Sequence, residues 1–137
     1  MTAKELFRKV RACDLRLQAA EEAYQHALQN LGVRAVRQGE GGGGHGSGSP
    51  TEAQAMELAE LESRRNSFRA YWIALRKLAD EKINLLDNPR EYCCLQLYYL
   101  TSRTWEQVAE LLQVDLRTVY RIHGRALRHI DEKEGLD

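Results

Sequence analysis

Apolar or small residues recur near the start of this chain as Leu6, Val10, Cys13, Leu17, Ala20, Tyr24, Ala27 and Leu31, alternating steps of four and three residues over more than three heptads. That spacing puts every member on one stripe of a helix, and the stripe must be covered by a second helix. A second run, Leu58, Leu61, Arg65, Phe68, Trp72, Leu75 and Ala79, keeps the same rhythm and continues through Ile83 and Leu86. The first helix is expected over about Thr2 to Leu31, closed by a left-handed cap at Gly32, and the second begins at a cap supplied by Ser49 or Thr51. The two can fold back as an antiparallel hairpin or zip with another copy of the chain. Arg65 breaks the apolar seam; it pairs with an acid, sets register, or snorkels at the seam's edge.

Between the two helices lies "GEGGGGHGSGSP", Gly39 to Pro50, with seven glycines and two serines. Such a tract cannot repay the entropy of being ordered and reads as a flexible loop over residues 33–50. His45 within it has no neighbouring ligand residue, so a solvated spacer is the expectation. The tract lacks the Lys-Ser/Thr of a phosphate-cradling loop. No Ser/His/Asp set, carboxylate cluster or metal-ligand spacing occurs, so no enzyme, cofactor or metal is expected.

At 137 residues the chain has room for one ordinary domain, or a small domain with a helical extension. Its 20 basic and 20 acidic residues cancel, which gives no support to a generally polycationic binding mode. Cys13, Cys93 and Cys94 are an odd set without CxxC spacing; they are expected as reduced core fillers in a cytoplasmic protein. No run approaches the roughly 18 apolar residues of a membrane span, so no membrane partner is expected.

The charge is arranged by face near the carboxyl end. In "WEQVAELLQVDLRTVYRIHGRALRHI", Trp105 to Ile130, Arg117, Arg121, Arg125 and Arg128 follow at offsets of 4, 4 and 3 with no acid between Leu116 and Ile130. They share one helical face, where like charges repel by a few tenths of a kcal/mol per pair, so the arrangement suits an anionic partner. Arginine's planar fork fits phosphate and guanine O6/N7 alike. Upstream, "DNPREYCCLQLYYL" opens a helix with Asn88 as N-cap, Pro89 at the first position and Glu91 where a capping-box acid belongs. Thr104 caps a short helix with Val108, Leu111 and Leu112 as its apolar face and a small Ala109. After the turn "QVD", Asp115 caps the last helix, with Val119, Ile122, Ala126, Leu127 and Ile130 buried. Inward Val108, small Ala109, inward Leu112, turn Val114 and inward Val119 and Ile122 have the spacing of a helix-turn-helix.

The segment "NPREYCCLQLYYLTSRTWEQVAELLQVDLRTVYRIHGRALRHI" resembles the promoter-reading C-terminal domain of bacterial sigma factors through Pro89-Arg90-Glu91, Thr104 to Ala109, Val119 and the terminal "GRAL". With its coiled-coil front half, the chain is similar in architecture to phage transcription regulators of the ArpU and RinA type. The expected fold is all-α: a long antiparallel hairpin (coiled coil) over residues 1–86, then a sigma-like helix-turn-helix domain over 87–137. The resemblance implies a sequence-specific regulator of phage or prophage late genes that binds double-stranded DNA, with bacterial RNA polymerase as a further partner. By motif position, Leu116, Arg117, Thr118, Tyr120 and Arg121 reach base edges, and Arg103, Thr104, Arg125 and Arg128 reach phosphate. His123 is a further low-pH phosphate contact or a neutral surface residue. Gln113 stands where such turns commonly carry glycine, so a left-handed backbone is expected to strain it. One recognition helix binds weakly, and a homodimer or higher homo-oligomer through the coiled coil is expected. The alternatives are a small terminase subunit for DNA packaging, or a module that grips RNA polymerase.

Overall fold

A computed structural model of the protein describes residues 1–40 and 51–135, with side chains for 1–31 and 51–135. The glycine-rich expectation for residues 41–50, with His45 and the cap at Ser49, lies outside the described residues. Among the described residues the structure is helical and contains no strand: α1 (Ala3–Glu40), α2 (Glu52–Ile83), α3 (Pro89–Leu95), a π-helical turn (Gln96–Leu100), α4 (Trp105–Leu112) and α5 (Leu116–Lys133). No helix among these residues is long and apolar enough to cross a membrane.

Helix α1 overruns its expected end. It continues through Gly32 to Glu40 over 38 residues, because one interior glycine costs a helix only about 1 kcal/mol and "VRAVRQ" beyond it contains several good helix formers. Thr51 opens α2 as expected: its hydroxyl accepts from the Gln54 amide at 3.2 Å, and Gln54 Oε1 accepts from the Thr51 amide at 2.9 Å.

The chain packs as two units, one of Cys13–Tyr71 and one of Met1–Ala12 with Trp72–Asp137. Within Cys13–Tyr71 the partners run in opposite order along the two helices. Cys13 Sγ meets the Phe68 carbonyl at 3.7 Å, Glu21 pairs with Arg69 at 3.0 Å and Arg65 at 3.7 Å, and further along α1 Ala27, Asn30 and Leu31 share a pocket with Gln54, Leu58 and Leu61 near the start of α2. This is an antiparallel hairpin. Arg65 also lies 4.4 Å over the Tyr24 ring, so the charge in the seam is met by an acid and an aromatic face together, each worth up to about 1 kcal/mol. Cys13 and Ala20 are buried, while Leu17, Tyr24, Leu58, Leu61 and Phe68 remain half-covered.

In the other unit the ends of the same helices join α3, α4 and α5. Phe7, Val10, Ala79, Ile83, Leu95, Ala126 and Ile130 are fully enclosed, and each large apolar side chain so buried contributes about 1.5–3 kcal/mol. Phe7, absent from the sequence-derived seam, packs on Tyr99 with centroids 4.9 Å apart. The Ala3 amide, one of the first-turn donors left without an intrahelical acceptor, is satisfied by Asp131 Oδ1 of α5 at 2.8 Å. Lys82 pairs with Glu134, and Lys133 with Asp87 at 2.7 Å. Asn88 Oδ1 caps α3, accepting from the amides of Arg90 and Glu91 at 2.9 and 3.3 Å. Glu91 does not complete the expected capping box. Its carboxylate, 5% exposed, accepts from His129 Nδ1 at 2.6 Å and ties α3 to α5.

Candidate nucleic-acid interface

The helix-turn-helix is assembled from α4 and α5 over α3. Thr104 and Gln107 form a reciprocal capping box, with Thr104 Oγ1 accepting from the Gln107 amide at 3.1 Å and Gln107 Oε1 from the Thr104 amide at 2.9 Å. α4 ends at Gln113 in the left-handed region, φ 57° and ψ 46°. The strain expected from the missing glycine is present, at about 1–2 kcal/mol. Asp115 then caps α5, accepting from the Thr118 amide at 2.8 Å. Hydrogen bonds from Thr118 hold the Asp115 carboxyl below its ordinary range, with a smaller pull from Arg121, so the cap is ionised where it faces the helix N-terminus.

Cys94, Val108, Ala109, Val119 and Ile122 make the core of this unit, with Leu97, Tyr98, Trp105, Leu112, Val114 and Leu116 packed against it. Burial pushes the Cys94 thiol up to about 12, as befits a filler, while Cys93 is only half-buried. Leu111 departs from expectation: it is 56% exposed. Val108 and Leu112, four residues apart, already fill the face that α5 covers, and Leu111 is rotated away from it.

The outward side of α5 is arginine. Arg117, Arg121, Arg125 and Arg128 are all exposed, opposite the buried row of Val119, Ile122, Ala126 and Ile130. Among the described residues none of the four is in a salt bridge, and the helix offers them no acid before Asp131. Tyr120 flanks this face, 50% exposed and edge-on to Trp105 at 5.7 Å. Thr118 flanks it on the other side, half-buried. Arg103 and Thr104 are exposed at the start of α4. The Thr104 hydroxyl accepts within the cap and keeps its proton for donation outward. Leu116 stands apart from the others named for base contact, since it leans half-buried on the core.

Behind the face sits an aromatic cluster that the sequence reading missed. Trp105 stacks on Tyr98 with centroids 3.6 Å apart and planes 11° from parallel. The His123 ring lies 4.9 Å from Trp105 and 5.7 Å from Tyr99. Burial raises the Tyr99 phenol well above its ordinary value and lowers His123, with Lys4 adding to the latter. The Tyr99 hydroxyl and His123 Nε2 share a hydrogen bond at 2.7 Å. His123 is half-buried, its Nε2 taken up by Tyr99, while its ring also lines the groove beside Gly124. The five-residue π turn holds Tyr98 against Trp105 and Tyr99 against Phe7 and His123. No sequence pattern marks such a turn; the only hint is the density of aromatics in "QLYYL".

The geometry is that of a short helix, a tight left-handed turn and a longer helix whose unpaired cations face outward, an arrangement that can enter a major groove. Comparison of the chain with curated proteins and with solved structures returns no match. Residues 88–132, from the Asn88 cap to the end of the arginine face, match the family model described as Sigma-70, region 4, and so form a DNA-binding helix-turn-helix domain similar to that one.

Proposed function

We propose that the protein is a sequence-specific regulator of transcription that reads double-stranded DNA in the major groove with α5. One observation carries this reading: four exposed arginines share a helical face and, among the described residues, none of them is in a salt bridge. Folding gains nothing from clustering these charges, whereas a polyanion compensates all of them at once. Arg117 and Arg121, in the first turns of α5, read base edges with Thr118 and Tyr120, and Leu116 supports them from the core side. Arg103, Thr104, Arg125 and Arg128 hold phosphate and fix register.

The hairpin supplies the second half-site reader. Its seam keeps Leu17, Tyr24, Leu58, Leu61 and Phe68 half-covered, which favours pairing with a second copy and so two recognition helices on one duplex. A role in activating phage or prophage late genes, with bacterial RNA polymerase as the partner at the promoter, follows from the resemblance to ArpU- and RinA-type regulators. Selection of bound sequences from a random duplex pool tests the reading. The expected result is an enriched motif repeated at a spacing of about 10–10.5 base pairs or a multiple of it. A pool that stays random after repeated rounds contradicts it.

A further inference from the structure

The basic surface of the DNA-binding unit does not end with α5. On α1, Lys4, Arg8 and Arg11 follow at offsets of 4 and 3, the same rhythm as the arginines of α5, and lie on one flank of the buried row Ala3, Leu6, Phe7 and Val10. The first turns of α1 belong to the same packed unit as α5. Three contacts fix the flank there: the Ala3 amide on Asp131, Phe7 on Tyr99, and the Arg11 guanidinium 4.7 Å over Tyr98.

Lys4 faces α5 across an open groove lined by His123, Gly124, Leu127, Arg128, Asp131 and Glu132. Arg8 lies near enough to the Tyr99 hydroxyl, itself bonded to His123, to act on it electrostatically. Lys4 and Arg8 are exposed, and among the described residues neither is in a salt bridge. Arg11 differs, since it is half-buried and committed to Tyr98.

Gly124 leaves the wall of this groove without a side chain. It sits within α5, where glycine is the poorest helix former after proline. No turn needs it, and a Cβ added there would meet nothing within 4 Å. Internal packing therefore does not explain it. The bare wall leaves room for an outside backbone to pass close along the groove.

We propose that Lys4 and Arg8 form a second phosphate-contacting strip, which grips the DNA strand running beside α5 over Gly124 while Arg128 holds it from the opposite wall. The inference rests on the reading of α5 as the recognition helix. It adds that the amino-terminal helix is part of the DNA interface, with contacts that carry no base information.

The test is a salt series of duplex affinities for the full-length chain, the double variant Lys4→Gln/Arg8→Gln, and Arg121→Ala. The expected result for the double variant is weaker binding by a similar factor on every sequence, with the slope of log affinity against log salt reduced by about 2, about 1 per residue. Arg121→Ala instead relaxes base preference at one position. Both sites are exposed, so an unchanged melting temperature excludes misfolding. Gly124→Leu gives a second check: better helix propensity but weaker binding on all sequences. If the wild type binds and Arg121→Ala alters preference while the double variant keeps the full salt slope, the α1 strip is overturned and the recognition helix stands. If the wild type binds no duplex, both fall.

Discussion

The two long helices carry one hydrophobic rhythm but bury it to very different depths. In Met1–Ala12 and from Trp72 onward, Leu6, Val10, Ala79 and Ile83 are buried, whereas within Cys13–Tyr71 Leu17, Tyr24, Leu58, Leu61 and Phe68 stay half-covered. The cause is the number of neighbours. Two helices can shield each other along one line only, while α3, α4 and α5 close the remaining sides. Periodicity therefore tells which way a face points and not how well it is covered.

The largest expected effect breaks this comparison directly. Phe7→Ala empties an enclosed site and is expected to cost about 3–5 kcal/mol, whereas Phe68→Ala in the hairpin costs about half as much at concentrations where the chain is monomeric. Urea unfolding at several protein concentrations measures both. Equal costs, with a midpoint that rises with concentration, would sharpen the comparison by showing that a second copy completes the hairpin's seam.

A smaller effect is expected at the turn between α4 and α5. Gln113→Gly relieves a left-handed backbone at φ 57° and should stabilise the helix-turn-helix by about 1 kcal/mol, less the extra entropy of the unfolded glycine. A fall in melting temperature would mean that the Gln113 side chain contributes more than its backbone costs.

The smallest effect is a slope in pH. His123 is half-buried against Tyr98, Tyr99 and Trp105 with Lys4 nearby, and its folded value lies below the ordinary 6.5. Unfolded His123 takes up its proton first, so its contribution is intact above pH 6.5 and is lost as pH falls through the lowered folded value. His123→Phe should flatten that part of the stability profile, read by thermal melts between pH 7.5 and about 5. An unchanged slope would show that His123 is not enclosed as described.

Local chemistry was the legible part. The caps at Asn88, Thr104 and Asp115 and the outward arginines follow from short-range rules, and each stands where its spacing places it. What escaped the sequence depends on partners far along the chain. Phe7 falls off the heptad seam yet is buried, because Tyr99 meets it from the π turn. Leu111 looks like core until Val108 and Leu112 take the only face that α5 covers. Glu91 sits at a capping position, but His129 claims its carboxylate. Gly32 resembles a stop, yet the residues after it propagate the helix. Lys4 and Arg8 gain meaning only when α1 is seen to share a packed unit with α5.

The central claim is that the outer face of α5 engages a duplex. Its most direct test is fluorescence anisotropy of a labelled duplex pool with the wild-type chain and with Arg117→Glu/Arg121→Glu, both verified as folded by circular dichroism. The expected result is salt-sensitive binding by the wild type that the double reversal abolishes. Undiminished DNA affinity in the reversed chain would contradict the account.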